Sequence, residues 1–378
     1  MKVVHTFASQ QVIWKERIYA QMLSALYAKK HYGNIHLYTT EKEAEQINKI
    51  GIPYDSINTS LLNDIDCTTY SLPKLYTFTD INEPFLHIDI DSVFYYKFDF
   101  SIFKSPFVFS HPDMKHFTGM EGTLGEHITM LLNNKDSNVS NGDFYWINYT
   151  YLKLYQTLLD QQPEDVKNNF EFDHIPNMSI VMVNDPATFK LAAQDCIDHY
   201  FMNKELVDGR EMGPHYVEQL MMHLNLLKHS PDYRKYVKKD DTLVFNDAPL
   251  FISFQTQQTS KLNIAGTKFP FTFRTNSRCS HCGESKFEEY TINSIEDIKR
   301  FLGFKFRGYT HFSFMQWYQL WQVVIINEIV EEFGSEYVLS CNNYFKENPM
   351  VDKPLYSESE LLYERFSGKR IFTGGSII

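Results

Sequence analysis

Five cysteines in 378 residues, an odd number, do not make the disulfide framework of a small secreted domain. Their only cluster is Cys279-Ser-His281-Cys282, which lacks the second ligand pair of a structural zinc site. Cys341 or His311 could each add one donor, so a zinc site and a loop with incidental thiols both stay open. Long apolar runs are missing too. The most apolar stretch, residues 312–330, is interrupted by Gln316, Gln319, Gln322 and Asn327, and reads as a buried amphipathic helix rather than a membrane span. Positive charge is in short supply: 36 Lys and Arg stand against 47 Asp and Glu, a net charge of −11, and no basic stripe occurs. That excludes the electrostatic footprint of a nucleic-acid binder. The start, Met1-Lys-Val-Val-His-Thr-Phe, has no charged n-region, apolar h-region or cleavage site, so a cytoplasmic protein is expected. No Gly-rich phosphate loop follows Phe7, and there is no internal repeat or low-complexity tract.

What is present suits a folded enzyme-sized chain. Apolar residues make up 43% and charged residues 22%, which argues against extensive disorder. The length fits one large α/β domain with insertions, or two domains. Aromatics reach 16%, with 31 Phe and 24 Tyr. They supply either an aromatic-rich core or flat rings that stack on sugar faces.

Short apolar strands alternate with helical periodicity. Residues 2–7 read as a central strand, followed by a helix over 15–31 with Ile18, Met22, Leu23 and Leu26 on one face and Gly33 just past its end. Residues 34–39 form a second strand, and Thr40-Glu-Lys-Glu43 has the form of a capping box for a short helix that stops at Gly51. Further strands are expected at 54–57, 107–110, 179–183, 243–245 and 251–254, with a polar loop or insertion around 133–142. Asp185-Pro186 reads as an N-cap and first-turn proline, and helices are expected over 214–228 and 314–333. The polar chain beyond Cys341 reads as a loop with at most a short helix. Such alternation predicts a helix-covered, mostly parallel sheet, whose ligands bind beyond the carboxyl ends of the strands.

The sharpest signal is Phe85-Leu-His-Ile-Asp89-Ile-Asp91-Ser-Val-Phe, an apolar run ending in two carboxylates. Residues two apart on a strand face the same side, so Asp89 and Asp91 would converge as the strand leaves the sheet. Hard oxygen donors at that spacing suit Mn²⁺ or Mg²⁺, which complete their shells with water and phosphate oxygens. The plainer alternative is a turn whose aspartates cap the next segment.

In this order the elements resemble the GT-A nucleotide-sugar glycosyltransferases, especially the glycogenin-like and bacterial galactosyltransferase-like group. The N-terminal strand-helix-strand unit is similar to the family's nucleotide-binding half, with His5-Thr6 and Thr39-Thr40 at its strand ends. Pro73-Lys74-Leu-Tyr76 followed by Asp89-Ile-Asp91 resembles the family's helix and Asp-x-Asp strand. Asn177-Met-Ser179 before an apolar strand resembles its Asn-x-Gly element, and Glu218-Gln219 its acidic-Gln pair beside the transferred sugar. His311 is similar to the C-terminal histidine that completes the metal shell. Two departures stand out: Ser179 replaces the usual Gly, and no Gly and Lys follow His311, leaving Lys305 and Arg307 as the nearby basic residues.

The resemblance implies a single GT-A-like catalytic domain over residues 1–340, with a nucleotide-binding half at 1–110 and an acceptor half at 111–340, then a C-terminal extension at 341–378. It implies Mn²⁺ or Mg²⁺ held by Asp89, Asp91 and His311, and a nucleotide-sugar donor, UDP-sugar first among them, touching His5, Thr6, Thr39, Lys74, Asp89 and Ser179. Glu218, Asn177 and Gln219 would line the sugar pocket and carry the catalysis. A glycan or glycolipid acceptor is expected, with work at the inner membrane face but no transmembrane segment, and no basic amphipathic helix for docking is evident. His215 and Glu218, three apart on a helix, could also hold a metal. Two other readings remain: a sugar-nucleotide nucleotidyltransferase, and an inert relative serving as a binding or scaffold protein.

Overall fold

The opening apolar run becomes strand β1 (Lys2–Phe7), the middle of a six-stranded sheet. The computed structural model describes residues 1–8, 15–65, 71–109, 160, 162–164, 178–204, 216–236, 258–259, 271–278, 285–301, 309–311 and 318–348. Helix α1 (Lys15–Tyr32) leads to β2 (Ile35–Thr39), helix α2 (Glu41–Ile50) to β3 (Ser56–Asn58), and helix α3 (Leu72–Asp80) to β4 (Phe85–Ile88). After a short strand β5 (Ser92–Phe94) and a 3₁₀ turn at Phe100–Ile102 come β6 (Phe107–Phe109) and β7 (Ile180–Val183). The sheet order is β3-β2-β1-β4-β7-β6, parallel throughout except β7, which runs against both of its neighbours. The expected mixed α/β architecture with a mostly parallel sheet is therefore present. Because β1 pairs with both β2 and β4, the chain moves outward to one side and then returns to the other. In open sheets of this kind ligands bind beyond the carboxyl ends of the strands at such a reversal, here beyond β1 and β4.

Period-two alternation sorts the buried strands into two layers. Val3, Leu37, Leu86, Ile88, Ile180 and Met182 pack with α1 on one face. Val4, Phe85, Val181 and Val183 pack on the other with α3 and with helix α4 (Pro186–Met202). Local signals place the helix ends. Thr40 and Glu43 form the reciprocal capping box, and Asp185 accepts from the Thr188 N–H ahead of Pro186. Gly51 closes α2 at φ +80°, a conformation that a side chain disfavours.

The later chain forms a π-helical turn at Tyr216–Met221, helix α5 (Met222–His229) and helix α6 (Pro231–Tyr236). So the helix expected over 214–228 is not one α-helix: its first half is wound more widely. Strands β8 (Gln258–Thr259), β9 (Phe271–Arg278) and β10 (Ser285–Ile292) make a separate antiparallel sheet. Helix α7 (Ile295–Phe301) precedes β11 (Tyr309–His311), which pairs with β5. Helix α8 is described over Tyr318–Phe333, within the span expected at 314–333, and residues 314–317 lie outside the described residues. Beyond it, helix α9 (Ser335–Glu347) reaches six residues past Cys341 into the stretch read as a loop with at most a short helix. Cys341 and Phe345 on α9 are buried against the α1 layer, which is why that stretch is ordered. Residues 133–142, 243–245, 251–254 and 349–378 lie outside the described residues. Among the described residues no helix is long and apolar enough to cross a membrane.

Candidate functional site

At the carboxyl end of β4 the chain leaves the sheet after Ile88, and residues 89–91 form a turn closed by the Ser92 N–H donating to the Asp89 carbonyl at 2.9 Å. Asp89 and Asp91 are thus turn residues, not alternate residues of a strand, as their short acceptor side chains favour. The turn is still tied to the sheet, because the Asp89 N–H donates to the Ser179 carbonyl at 2.7 Å.

Asp89 is engaged from the α3 side. The Lys74 ammonium, in the first turn of α3, lies 2.6 Å from Asp89 Oδ1, pairs with Glu218 Oε1 on the π-helical turn, and donates to the Met178 carbonyl at 3.2 Å. All three side chains are largely shielded: Lys74 is 8% exposed and Glu218 5%. Burial alone would pull the Lys74 ammonium down, yet the Asp89 and Glu218 carboxylates outweigh it and hold the group above its ordinary value. A cation in a helix's first turn opposes the helix dipole, and these two carboxylates offset that cost. Gln219, next to Glu218, is also buried. π-Helical turns recur at functional positions because they re-aim neighbouring side chains.

Asp91 acts on the α1 side, where its charge is felt by His5. His5 has no exposed surface, and burial pushes its imidazole down to about 3, with Asp91 partly opposing. Its Nδ1 is 2.9 Å from the Tyr54 hydroxyl and its Nε2 is 3.3 Å from the Ser24 hydroxyl. Gln21 donates to the same Tyr54 oxygen at 3.0 Å, and Ser24 donates to the Ser92 carbonyl at 2.5 Å. This buried chain of polar groups braces the residue that follows Asp91. His5, expected to touch a nucleotide, is fully buried, and its two ring nitrogens lie against Tyr54 and Ser24.

Thr6 and Thr39 also spend their hydroxyls within the protein. Thr6 Oγ1 is 3.1 Å from His87 Nε2, and Thr39 donates to the Glu43 carboxylate at 3.0 Å, inside the α2 cap. Ser179 is buried and contributes its carbonyl. The backbone of His311 is registered opposite Ser92, which sets it beside Asp91. Asn177, His215, Cys279, His281, Cys282, Lys305 and Arg307 lie outside the described residues. Cys341, weighed as a zinc donor, is buried in α9 with its thiol pushed up to about 12, a poor state for a ligand.

Residues 1–141 match a model titled "Family of unknown function (DUF6734)". That segment holds His5, Lys74, Asp89 and Asp91, whereas Glu218 and His311 come from beyond it. No curated protein matches the chain.

Sequence reasoning missed His87, Ser24 and Tyr54. His87 is fully buried, its Nδ1 has no hydrogen-bond partner among the described residues, and that atom lies 3.9 Å from Asp89 Oδ1. Burial, then the Lys74 ammonium and His5, keep it well below its ordinary value, so it stands neutral. Its signal was a histidine within the otherwise apolar Phe85-Leu-His-Ile strand; for Ser24 it was a hydroxyl in the apolar stripe of α1.

Chemically, three carboxylates, Asp89, Asp91 and Glu218, stand near the carboxyl ends of β1 and β4 with one ammonium and two neutral imidazoles. Among the described residues no three His, Cys, Asp or Glu side chains form a ready-made metal cage. The donors on the turn nevertheless fit a hard divalent cation that keeps water and takes phosphate oxygens, since such ions are often held by only one or two carboxylates.

Proposed function

We propose that this chain is a metal-dependent glycosyltransferase that moves a sugar from a nucleotide-diphosphate donor to an acceptor hydroxyl. One observation carries the reading: the Asp89–Asp91 turn lies beyond the strands at the β1/β4 reversal and is packed, through Lys74, against Glu218 from a distant part of the chain. A donor of this class has two needs, charge neutralisation at the diphosphate and an oriented carboxylate near the sugar, and this arrangement supports both. Asp91 and Asp89 would hold Mn²⁺ or Mg²⁺, with His311 beside them by strand register. The cation would supply Lewis-acid stabilisation of the leaving diphosphate. Within the chain, the buried His5–Ser24–Ser92 contacts hold the turn in shape, and Lys74 fixes where Glu218 sits. The acceptor is a glycan or glycolipid hydroxyl, and the reaction takes place on the cytoplasmic side.

The test is a thermal-shift screen of UDP, GDP, CDP and their sugars with and without Mn²⁺, on the wild type and on Asp91→Ala. The expected result is stabilisation by one nucleotide class that needs the metal and is lost in Asp91→Ala, with slow metal-dependent hydrolysis of the matching nucleotide-sugar. Tight binding without any hydrolysis or transfer would replace the enzyme with a binding protein. No stabilisation by any nucleotide would overturn the reading.

A further inference from the structure

We propose that Lys74 is a positioning residue that ties Asp89 to Glu218, and not a contact to the donor's diphosphate. This rests on the glycosyltransferase reading for its ligands, though not for its geometry.

An ammonium has three N–H donors and nothing else to offer. Here all three are spent inside the protein, on Asp89 Oδ1 at 2.6 Å, on Glu218 Oε1, and on the Met178 carbonyl at 3.2 Å. With 8% of its surface exposed, Lys74 has little left to show a ligand. Its three acceptors come from three separate segments: the turn after β4, the residues before β7, and the π-helical turn. Lys74 therefore joins the part of the site that would hold the cation to the part that would face the sugar. A diphosphate could claim this ammonium only by pulling it off two carboxylates that it already pairs with inside the protein. A divalent cation arriving at Asp89 does the reverse. Lys74 would then leave Asp89 and stay on Glu218 and the Met178 carbonyl, so cation loading and the setting of Glu218 would be linked through one side chain.

The experiment uses the full chain as wild type, Lys74→Met, Lys74→Arg, Glu218→Gln and the Lys74→Met/Glu218→Gln double variant. Free Mn²⁺ is followed by electron paramagnetic resonance to give the affinity for the metal alone. Affinity for UDP, GDP and CDP at saturating Mn²⁺ is measured by calorimetry, and stability by urea denaturation. Lys74→Met is expected to bind Mn²⁺ alone about tenfold more tightly, because a competing positive charge has gone. Its nucleotide affinity at saturating Mn²⁺ should stay within about twofold of wild type, and Lys74→Arg should return Mn²⁺ affinity towards the wild-type value. A drop of about tenfold or more in nucleotide affinity, with Mn²⁺ affinity unchanged, would mark Lys74 as a diphosphate contact and overturn the proposal.

If the wild type binds neither Mn²⁺ nor any nucleotide, the enzyme reading fails and urea stability alone decides the tether. The double variant should then be more stable than Lys74→Met, because it removes one of the two shielded carboxylate charges that the ammonium had offset; additive losses would overturn the tether. Should Lys74→Met not fold, recovery of folding in the double variant supports the proposal and continued failure overturns it.

Discussion

Acidification should destabilise this fold through His5, and replacing His5 by Asn should remove that part of the response. His5 has no exposed surface, and burial pushes its imidazole from the ordinary 6.5 to about 3, with the Asp91 charge restoring part of the difference. In the folded chain the ring therefore stays neutral until the pH approaches 3, whereas the unfolded chain takes up a proton below 6.5. Protons thus favour the unfolded state. The His5 contribution to stability is intact above 6.5 and is lost as the pH falls from there towards about 3. The loss runs at about 1.4 kcal/mol per pH unit, so by about pH 5 it reaches about 2 kcal/mol. His87 is shifted the same way, by burial first and then by Lys74 and His5, and adds a parallel loss. For that reason the quantity to measure is the difference between wild type and His5→Asn, obtained from urea denaturation at constant ionic strength between about pH 7.5 and about pH 5. Near neutrality the variant should be less stable by about 1–3 kcal/mol, because Tyr54 and Ser24 lose their shared partner. Towards about pH 5 that gap should narrow by about 2 kcal/mol. A gap constant to within about 0.5 kcal/mol across the range would refute the argument, since His5 would then take up its proton equally in both states.

Three further outcomes follow from the packing. Tyr27→Phe removes the hydroxyl that donates to the buried Glu328 carboxylate between α1 and α8, and should cost about 1–3 kcal/mol in urea denaturation. Phe189→Ala deletes the ring packed against Phe78, Phe85 and Phe107 and should cost about 3–5 kcal/mol by the same assay, or leave the chain unfolded. Gly51→Ala meets no clash, since the nearest atom, Ser340 Oγ, is 3.9 Å from the added carbon. It does force a side chain into φ +80°, so the melting temperature should fall in line with a cost of about 1 kcal/mol.

Much of the amino-terminal architecture was legible because its signals are local. The capping box at Thr40, the glycines closing α1 and α2, and the Asp185-Pro186 start of α4 each depend on neighbours a few residues away, and each stands where the spacing indicated. The wider winding at residues 216–221 and the ordered helix α9 were not legible. A polar-looking stretch becomes a helix when a few of its residues, here Cys341 and Phe345, find a core that forms from elsewhere in the chain.

The candidate site divides along the same line. The sequence alone marked Asp89 and Asp91 as the place to look, through an apolar strand running into paired carboxylates. What those carboxylates do was decided in three dimensions. Lys74 meets Glu218 across 144 residues of chain, β11 comes alongside β5 to bring the His311 backbone next to the turn, and His5 and His87 are driven neutral by the layers packed over them. Hydrophobic period and capping act over a few residues and can be read directly from sequence. Ion pairing and desolvation depend on which distant segments share one site, and only the folded sheet sets that.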